Sequence, residues 1–324
     1  MIAPGAPMPP PALQGVVPAL ITPLDADGHV DEASVASLVE FQIEAGVHGL
    51  LALGSTGEGP LLSAEDKLRL VCATVDAARG RVPVMVGIAH SSPAESIAFG
   101  LAAQQAGANA LVTTPPFYFL STQSELLGYY RHLRSNLDLP LITYDVPSAV
   151  KTKIAASTVR ALAEERLIIG IKDSSGDLAG FRDLLIATQH LPDFHALTGS
   201  EQYLDAAILV GGHGGVLGLA SIIPEVYVAI YHAARAGDWV RANALQQRAI
   251  AALQMIHVAG PSGGSLTAGA IGSFKLVLRD MGVIRHATVS NPLLPLDQGA
   301  IARVRDIMSQ VGLSRPPAQP GRGL

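Results

Sequence analysis

Short apolar segments alternate with longer amphipathic segments along most of this chain of 324 residues. Eight apolar segments, most of them rich in Val, Ile and Leu, read in order GVVPALITPL, GLLALG, VPVMVGIAH, ALVTTPPF, LPLITYDVP, LIIGIKDSS, FHALTGSE and GGVLGLAS. Strands that are buried on both faces of a parallel sheet have this near-continuous apolar character. The pattern therefore predicts eight buried strands.

The segments between these strands have the features of helices. Ser63 precedes one of them and Asp66 follows three positions later, close to a capping box, and this helix is expected to end at Gly80. A second helix is expected to end at Gly107. Eight strand–helix units match a (β/α)8 TIM barrel, typically of about 250 residues. A doubly wound open sheet is the alternative, but it usually needs fewer strands and its glycine fingerprint is absent from the sequence.

Three further helical segments follow from about Gly237, and their apolar faces need the barrel, each other or another subunit to pack against. We therefore divide the chain into a flexible Pro-rich tail (1–13), the barrel (14–235), a C-terminal three-helix region (236–313) and a second flexible tail (314–324).

The net charge of −5 and the absence of Lys- or Arg-rich segments give no basic surface, so we expect no nucleic acid or membrane partner. The uncharged segment 206–224 has the length of a membrane span, but its clustered glycines, His213 and Pro224 favour a soluble strand. The N-terminal segment does not read as a signal peptide, and the single Cys72, expected in the core, has no disulfide partner within the chain. These features predict a cytoplasmic protein.

The sequence offers no pattern for a metal or a nucleotide. The ten histidines are scattered, with no pair at helical spacing beside a glutamate. GSTGE (54–58) lacks the Gly-Lys-Ser/Thr ending of a P-loop, and GGHGGVLG (211–218) does not match the dinucleotide fingerprint. We therefore expect neither cofactor.

Lys172 ends the sixth predicted strand, where an unpaired buried ammonium would be costly. Reacting groups of a barrel enzyme stand at such strand ends. Because desolvation favours the neutral amine, Lys172 could attack a ketone and form an imine, an electron sink for making or breaking a carbon–carbon bond. Tyr144 ends the neighbouring strand, so we expect its hydroxyl beside the amine as a proton relay. The structural alternative is that Lys172 extends to solvent or pairs with Asp173.

The segment GSTGE, after the second predicted strand, has two interpretations. Its glycines supply the unusual φ angles of a turn, and Ser or Thr caps a following helix. Alternatively, backbone N–H groups with the hydroxyls of Ser55 and Thr56 bind a carboxylate. The segment alone leaves both open.

Four motifs, GSTGE, TTPPFYF, ITYDVPS and GIKDSSGD, occur in an order and spacing that resembles the dihydrodipicolinate synthase / N-acetylneuraminate lyase family. The resemblance extends from about Gly15 to Gly312. It implies a class I aldolase or related lyase, built as an eight-stranded barrel with a C-terminal helical appendage. Such enzymes use or release pyruvate through a lysine imine and without a metal.

The resemblance also implies roles for single residues. Lys172 corresponds to the imine-forming lysine and Tyr144 to the proton-relay tyrosine. Ser55 and Thr56 correspond to the hydroxyl pair that holds the pyruvate carboxylate and joins the proton path.

Two more positions carry an implied role. Tyr118 corresponds to a catalytic tyrosine that, in the synthases, reaches into a neighbouring subunit's site and completes the proton relay. Val216 corresponds to a backbone contact with pyruvate. Family members are commonly homotetramers built as dimers of dimers, and we expect the same here.

Some positions depart from the synthases. Ala149 stands where they have an arginine that binds the carboxylate of aspartate semialdehyde, and a methyl group cannot replace a bidentate charged contact. Phe117, Ala64 and Lys67 differ from the residues usual in the synthases' feedback site for lysine. The serine of GSTGE is more usual among the lyases and sugar-acid enzymes.

We therefore expect a pyruvate-dependent lyase or aldolase that acts on a small 2-oxo acid, with a 2-keto-3-deoxy sugar acid as one candidate. One alternative is dihydrodipicolinate synthase itself, with Lys151 or Lys153 supplying the missing charge. Another is a sugar-acid dehydratase that uses the same imine. A barrel that only binds an oxo acid, as a sensor or scaffold, is the non-enzymatic alternative.

Overall fold

Eight parallel strands form a barrel in the computed structural model, which describes residues 13–258 and 264–313. The strands are β1 (Gly15–Pro18), β2 (Leu50–Ala52), β3 (Val84–Gly87), β4 (Ala110–Thr113), β5 (Leu141–Asp145), β6 (Gly170–Asp173), β7 (His195–Thr198) and β8 (Gly214–Leu217). Each pairs with the next along the chain from β2 to β8, and β8 pairs with β1. A parallel bridge between Ala19 and Leu51 joins the remaining edges. The predicted fold class is confirmed, because each of the eight apolar segments contains one strand.

Helices follow the strands and form the outer layer. They are α1 (Glu32–Glu44), α2 (Ala64–Ala78), α3 (Pro93–Gln105), α4 (Gln123–Arg134), α5 (Pro147–Val150), α6 (Ala156–Glu164), α7 (Leu178–Thr188), α8 (Leu204–Leu209) and α9 (Pro224–Arg235). The expected C-terminal helices are present as α10 (Trp239–Leu253), α11 (Leu266–Asp280) and α12 (Gln298–Gln310). None of the helices in the described ranges has the length and apolarity that a bilayer crossing needs.

Alternate strand residues face two different cores. One set packs inside the barrel and includes Val17, Leu51, Met85, Val112 and Ile142. The other set packs against the helices and includes Val16, Leu50, Val84, Leu111 and Leu141. The barrel interior is therefore filled with apolar side chains, and polar chemistry is confined to its ends.

The inner core also contains Leu13, which is 1% exposed. Its side chain lies against Gly170 at the start of β6. The assignment of Leu13 to a flexible tail is therefore wrong, since burial of an apolar side chain ties this residue to the barrel. The remainder of both tails lies outside the described residues.

Helix α2 illustrates which local signals the chain follows. The Asp66 N–H donates to Ser63 Oγ at 3.1 Å, as the capping pattern predicts. The helix is followed by Gly80 at φ 68°, where a glycine avoids strain. Cys72, however, is exposed and not in the core as expected, because the buried face of α2 carries Leu70, Val71, Thr74 and Ala78.

Candidate active site

Lys172 and Tyr144 lie side by side at the carboxyl ends of β6 and β5. They are direct partners in the strand register, so their side chains point to the same face, into the barrel. Lys172 is 4% exposed and Tyr144 8%, and Lys172 Nζ lies 4.2 Å from the centre of the Tyr144 ring. The prediction that the two side chains are neighbours at one rim is confirmed.

The pKa of the Tyr144 phenol is subject to opposing influences. Burial raises its pKa, but the charge of Lys172 and hydrogen bonds with the Ser55 and Ser174 hydroxyls lower it, and the net pKa lies below the usual value for tyrosine. The Ser55 Oγ and Tyr144 Oη atoms are 3.5 Å apart. A phenol whose anion is stabilised in this way is suited to passing protons.

The GSTGE loop follows β2 and brings Ser55 to Tyr144. The loop turns tightly, with Gly57 N–H donating to Gly54 O at 3.1 Å and Glu58 N–H to Ser55 O at 3.1 Å. The N–H groups of Ser55 and Thr56 have no acceptor among residues 13–258 and 264–313. Two unused N–H groups beside two hydroxyls are what a carboxylate would need.

Thr56 extends from this loop to the end of β8. A Cβ atom on Gly218 would lie only 2.7 Å from Thr56 Oγ1, so the glycine allows this close approach. Val216, two residues before Gly218, is 4% exposed and belongs to the inner core near Lys172. The structure thus brings Ser55, Thr56 and Val216 to the rim that holds Tyr144 and Lys172.

The loop is fixed from behind by a buried ion pair with the C-terminal helices. Glu58, at φ 56°, pairs with Lys275 of α11, and both side chains are fully buried. Ser290 N–H donates to Glu58 Oε1 at 2.6 Å, and Lys275 Nζ donates to Thr288 O at 2.6 Å. The C-terminal region therefore anchors the end of the GSTGE loop.

Glu201, after β7, is a site residue that the sequence did not reveal. Its Oε1 atom accepts hydrogen bonds from the N–H groups of Gly218 (2.8 Å) and Leu219 (3.4 Å). Its Oε2 atom is buried and has no hydrogen-bond partner within the described chain. Burial raises the pKa of this carboxyl to about 7, and those two N–H groups and the charge of Lys172 oppose the rise. This carboxyl thus lies close enough to Lys172 to interact with its charge, and one of its oxygens is unused.

A cavity of about 590 Å³ opens beside Tyr144 and Ser55. Ala149 and Phe117 line it, as does Lys67, whose pKa is lowered by partial burial. Lys172 borders a separate space of about 10 Å³ among the apolar side chains of the barrel interior. The large cavity has room for a substrate beyond a three-carbon acid.

The two lysines considered as substitutes for the missing arginine are engaged elsewhere. Lys151 Nζ donates to Ser148 O at 2.6 Å. Lys153 Nζ pairs with both Asp145 and Asp173. Neither ammonium is among the groups that line the large cavity.

Tyr118 is the one predicted site residue that does not join the others. It is 88% exposed, at φ 88°, and packs edge-on against Phe119 with ring centres 5.1 Å apart. Phe119 and Leu120 are 80% and 72% exposed. Within one chain, Tyr118 therefore takes no part in the Tyr144–Lys172 group.

A parallel eight-stranded barrel with its reactive side chains at the carboxyl ends of the strands is the architecture of a barrel enzyme. The sequence matches the dihydrodipicolinate synthetase family over residues 12–311. The chain belongs to this family, and it is accordingly a lyase of the aldolase type.

Individual relatives agree with this assignment. The chain is 34% identical to 4-hydroxy-tetrahydrodipicolinate synthase of Nitrobacter hamburgensis, over 93% of this chain and 97% of that protein. Among solved structures, it is similar to a dihydrodipicolinate synthase from Bacteroides thetaiotaomicron (TM-score 0.86, 34% identity, 92% of this chain and 99% of that one). It is also similar to YagE, a prophage protein of the dihydrodipicolinic acid synthase family from E. coli K12 in complex with pyruvate (TM-score 0.86, 29% identity, 93% and 99%).

Proposed function

We propose that the protein forms an imine between Lys172 and the keto carbon of pyruvate or a related 2-oxo acid, and that it makes or breaks the carbon–carbon bond next to that centre. The observation that supports this proposal most strongly is the buried Lys172 amine facing Tyr144 at 4.2 Å. The pyruvate complex of the similar protein YagE supports a three-carbon oxo acid as the ligand. The proposed mechanism needs neither a metal nor a nucleotide, since the imine itself withdraws electrons.

In the cleavage direction the Lys172 amine adds to the ketone, and loss of water gives a protonated imine. The bond between the third and fourth carbons then breaks, and its electron pair moves into the imine to form an enamine. The 4-hydroxyl group loses its proton to Tyr144 and becomes the carbonyl of the released aldehyde. Protonation of the enamine and hydrolysis release pyruvate and the free amine, while Ser55 and Thr56 hold the carboxylate.

Trapping with borohydride tests the imine directly. After incubation with pyruvate and reduction, the peptide that contains Lys172 should gain the mass of a reduced pyruvate adduct. Lys172→Met should give no adduct, and Lys151→Met, an exposed lysine, should trap like the wild type. An adduct on another peptide, or none in the wild type, would rule out the mechanism.

We propose a hydroxylated 2-oxo acid, of the 2-keto-3-deoxy sugar acid class, as the substrate. Ala149 provides no charge for a second carboxylate at the cavity wall. His90 and Ser91, which line the same cavity, supply hydrogen-bonding groups for a hydroxyl. Candidate 2-oxo acids can be screened for pyruvate release with a coupled lactate dehydrogenase assay.

Two other reactions would use the same imine. Synthase activity is favoured by the names of relatives at about one third identity, such as the Nitrobacter hamburgensis enzyme. An assay with pyruvate and aspartate semialdehyde tests it, and a turnover far below about one per second would speak against it. A dehydratase would instead give the dehydrated oxo acid without releasing pyruvate.

We also propose that the active form is at least a dimer, and a homotetramer built as a dimer of dimers by analogy with the family. The exposed group Tyr118, Phe119 and Leu120 supports this, because three adjacent large apolar side chains in water are unfavourable.

A further inference from the structure

Two buried carboxylates lie directly behind the reactive pair. Asp145 and Asp173 follow Tyr144 and Lys172 in the two strands and are themselves register partners. Because successive strand residues point to opposite faces, these carboxylates point outward from the barrel. Asp145 is 0% and Asp173 2% exposed. Two adjacent buried anions at this position need a counter-charge.

Lys153 supplies that counter-charge. Its Nζ atom pairs with Oδ2 of Asp145 and lies 3.4 Å from Oδ2 of Asp173. The remaining carboxylate oxygens are also used, since Asp145 Oδ1 accepts from Ile154 N–H at 3.2 Å and Asp173 Oδ1 from Ser175 N–H at 2.8 Å. One ammonium thus joins the ends of β5 and β6.

The backbone around Lys153 is held as well. Gln123 of α4 donates to Lys153 O at 2.9 Å and accepts from Ala155 N–H at 3.0 Å and Thr158 Oγ1 at 2.6 Å. The ammonium is therefore presented from a segment that is fixed on both sides. Lys153 and its two carboxylates are therefore held by more contacts than an ordinary surface ion pair, although the Lys153 side chain itself is 44% exposed.

We propose that Lys153 is a positioning residue, which pairs with Asp145 and Asp173 so that Tyr144 and Lys172 keep their relative position and face one net negative charge. This inference rests on the proposed imine chemistry. Without Lys153, two anions would repel each other at the ends of neighbouring strands. Displacement of reacting groups by about 1 Å can cost about 100-fold in rate.

Other ionisable groups face the cluster of Asp145, Asp173 and Lys153, and they are unchanged in the test variants. Tyr130 of α4 and Tyr203 before α8 both interact with it electrostatically, and Asp177 in the loop after β6 acts on Tyr203. Burial raises the pKa of Asp145, and Lys153 offsets only part of the rise. Removal of Lys153 would raise it further, so as the pH falls one carboxyl would take up a proton at a higher pH than in the wild type.

The first experiment measures the rate of borohydride trapping in Lys153→Met relative to the wild type at each pH. We expect a loss of about 10- to 100-fold at about pH 8, by the displacement argument above, and recovery toward wild type as the pH falls and a carboxyl is protonated. Lys153→Arg and Asp145→Asn/Lys153→Met, which restores one net charge, should trap within about threefold of wild type. The inference would be overturned if Lys153→Met trapped pyruvate at the wild-type rate at every pH. It would also be overturned if the trapping rate did not recover in the double variant.

The second experiment needs no substrate, so it separates this inference from the proposed function. The Tyr144 phenol is titrated by ultraviolet absorbance as a difference against Tyr144→Phe. An extra negative charge behind the phenol should move its titration to higher pH in Lys153→Met, and the double variant should move it back. Lys151→Met is the matched control on the same segment and should leave the curve unchanged. If Lys153→Met does not fold, the Asp145→Asn/Lys153→Met variant is compared with the wild type directly. A Tyr144 titration curve that differs between these two proteins would reject the inference.

Discussion

Tyr144 is the residue whose surroundings most directly determine the expected pH behaviour. Its pKa is below the usual value because the charge of Lys172 and hydrogen bonds, including one with Ser55, outweigh burial. A proton relay needs the phenol in its neutral form for part of each cycle. Activity should therefore fall on the alkaline side at a pH below about 10, the ordinary pKa of tyrosine.

Two substitutions test this assignment. Tyr144→Phe should lower turnover by about 10²- to 10⁴-fold, the usual contribution of a general acid–base group. Ser55→Ala removes a hydrogen bond that favours the phenolate. The alkaline limb of its pH–activity profile, where activity falls, should therefore move to higher pH. The pH dependence of pyruvate release measures both effects, with Tyr231→Phe, a tyrosine that packs against His48, as control. An alkaline limb that is the same in Ser55→Ala as in wild type would contradict this role of the hydroxyl.

The chemical identity of the main site residues was predictable, but their supporting contacts were not. Tyr144 and Lys172 each end an apolar strand, and that position alone places them at one rim. Glu201 acts on Gly218 across 17 positions, and no local pattern indicates which carboxylate will be enclosed by a neighbouring loop. Lys153 looked available for a substrate because sequence does not show that Asp145 and Asp173 surround it.

At the level of elements, strands were easier to predict than contacts between distant helices and loops. Parallel strands buried on both faces produce continuous apolar segments, so the order of all eight could be read from composition. The Glu58–Lys275 pair joins the loop after β2 to α11, and the Ser290 N–H that also binds Glu58 is 232 positions away. Such a contact exists only after the barrel has closed.

Lys275→Met should be strongly destabilising. It leaves Glu58 buried without a counter-charge, which typically costs about 3–5 kcal/mol. Glu58→Gln/Lys275→Met should recover part of this loss, since no uncompensated charge remains. Urea unfolding measures the free energy, and the exposed Lys151→Met serves as control. A Lys275→Met protein as stable as wild type would show that the pair contributes little.

At the level of the whole molecule, the exposed group Tyr118, Phe119 and Leu120 bears on assembly. It lies on the loop after β4, at the carboxyl end of the barrel that carries the active site. A second copy that covers this group would remove three large apolar side chains from water and bring a phenol close to the partner's site. Assembly and catalysis would then be coupled.

Mixing two inactive variants tests this coupling. Tyr118→Phe and Lys172→Met should each be weakly active or inactive alone, but mixed dimers should regain activity, because one site would then combine Lys172 with Tyr118 of the partner. Phe119→Asp should shift the protein toward monomers in sedimentation velocity, by loss of apolar burial and by charge repulsion. Leu209→Asp, 60% exposed on α8, is the control. No regained activity in the mixture, with both proteins folded, would count against a shared site.

Cys72 gives a practical route to that measurement. It is the only cysteine of the sequence and is exposed on the outer face of α2. A maleimide dye should therefore label each polypeptide once, without engineering and without entering the barrel mouth. Donor- and acceptor-labelled batches would then report subunit exchange by energy transfer in real time.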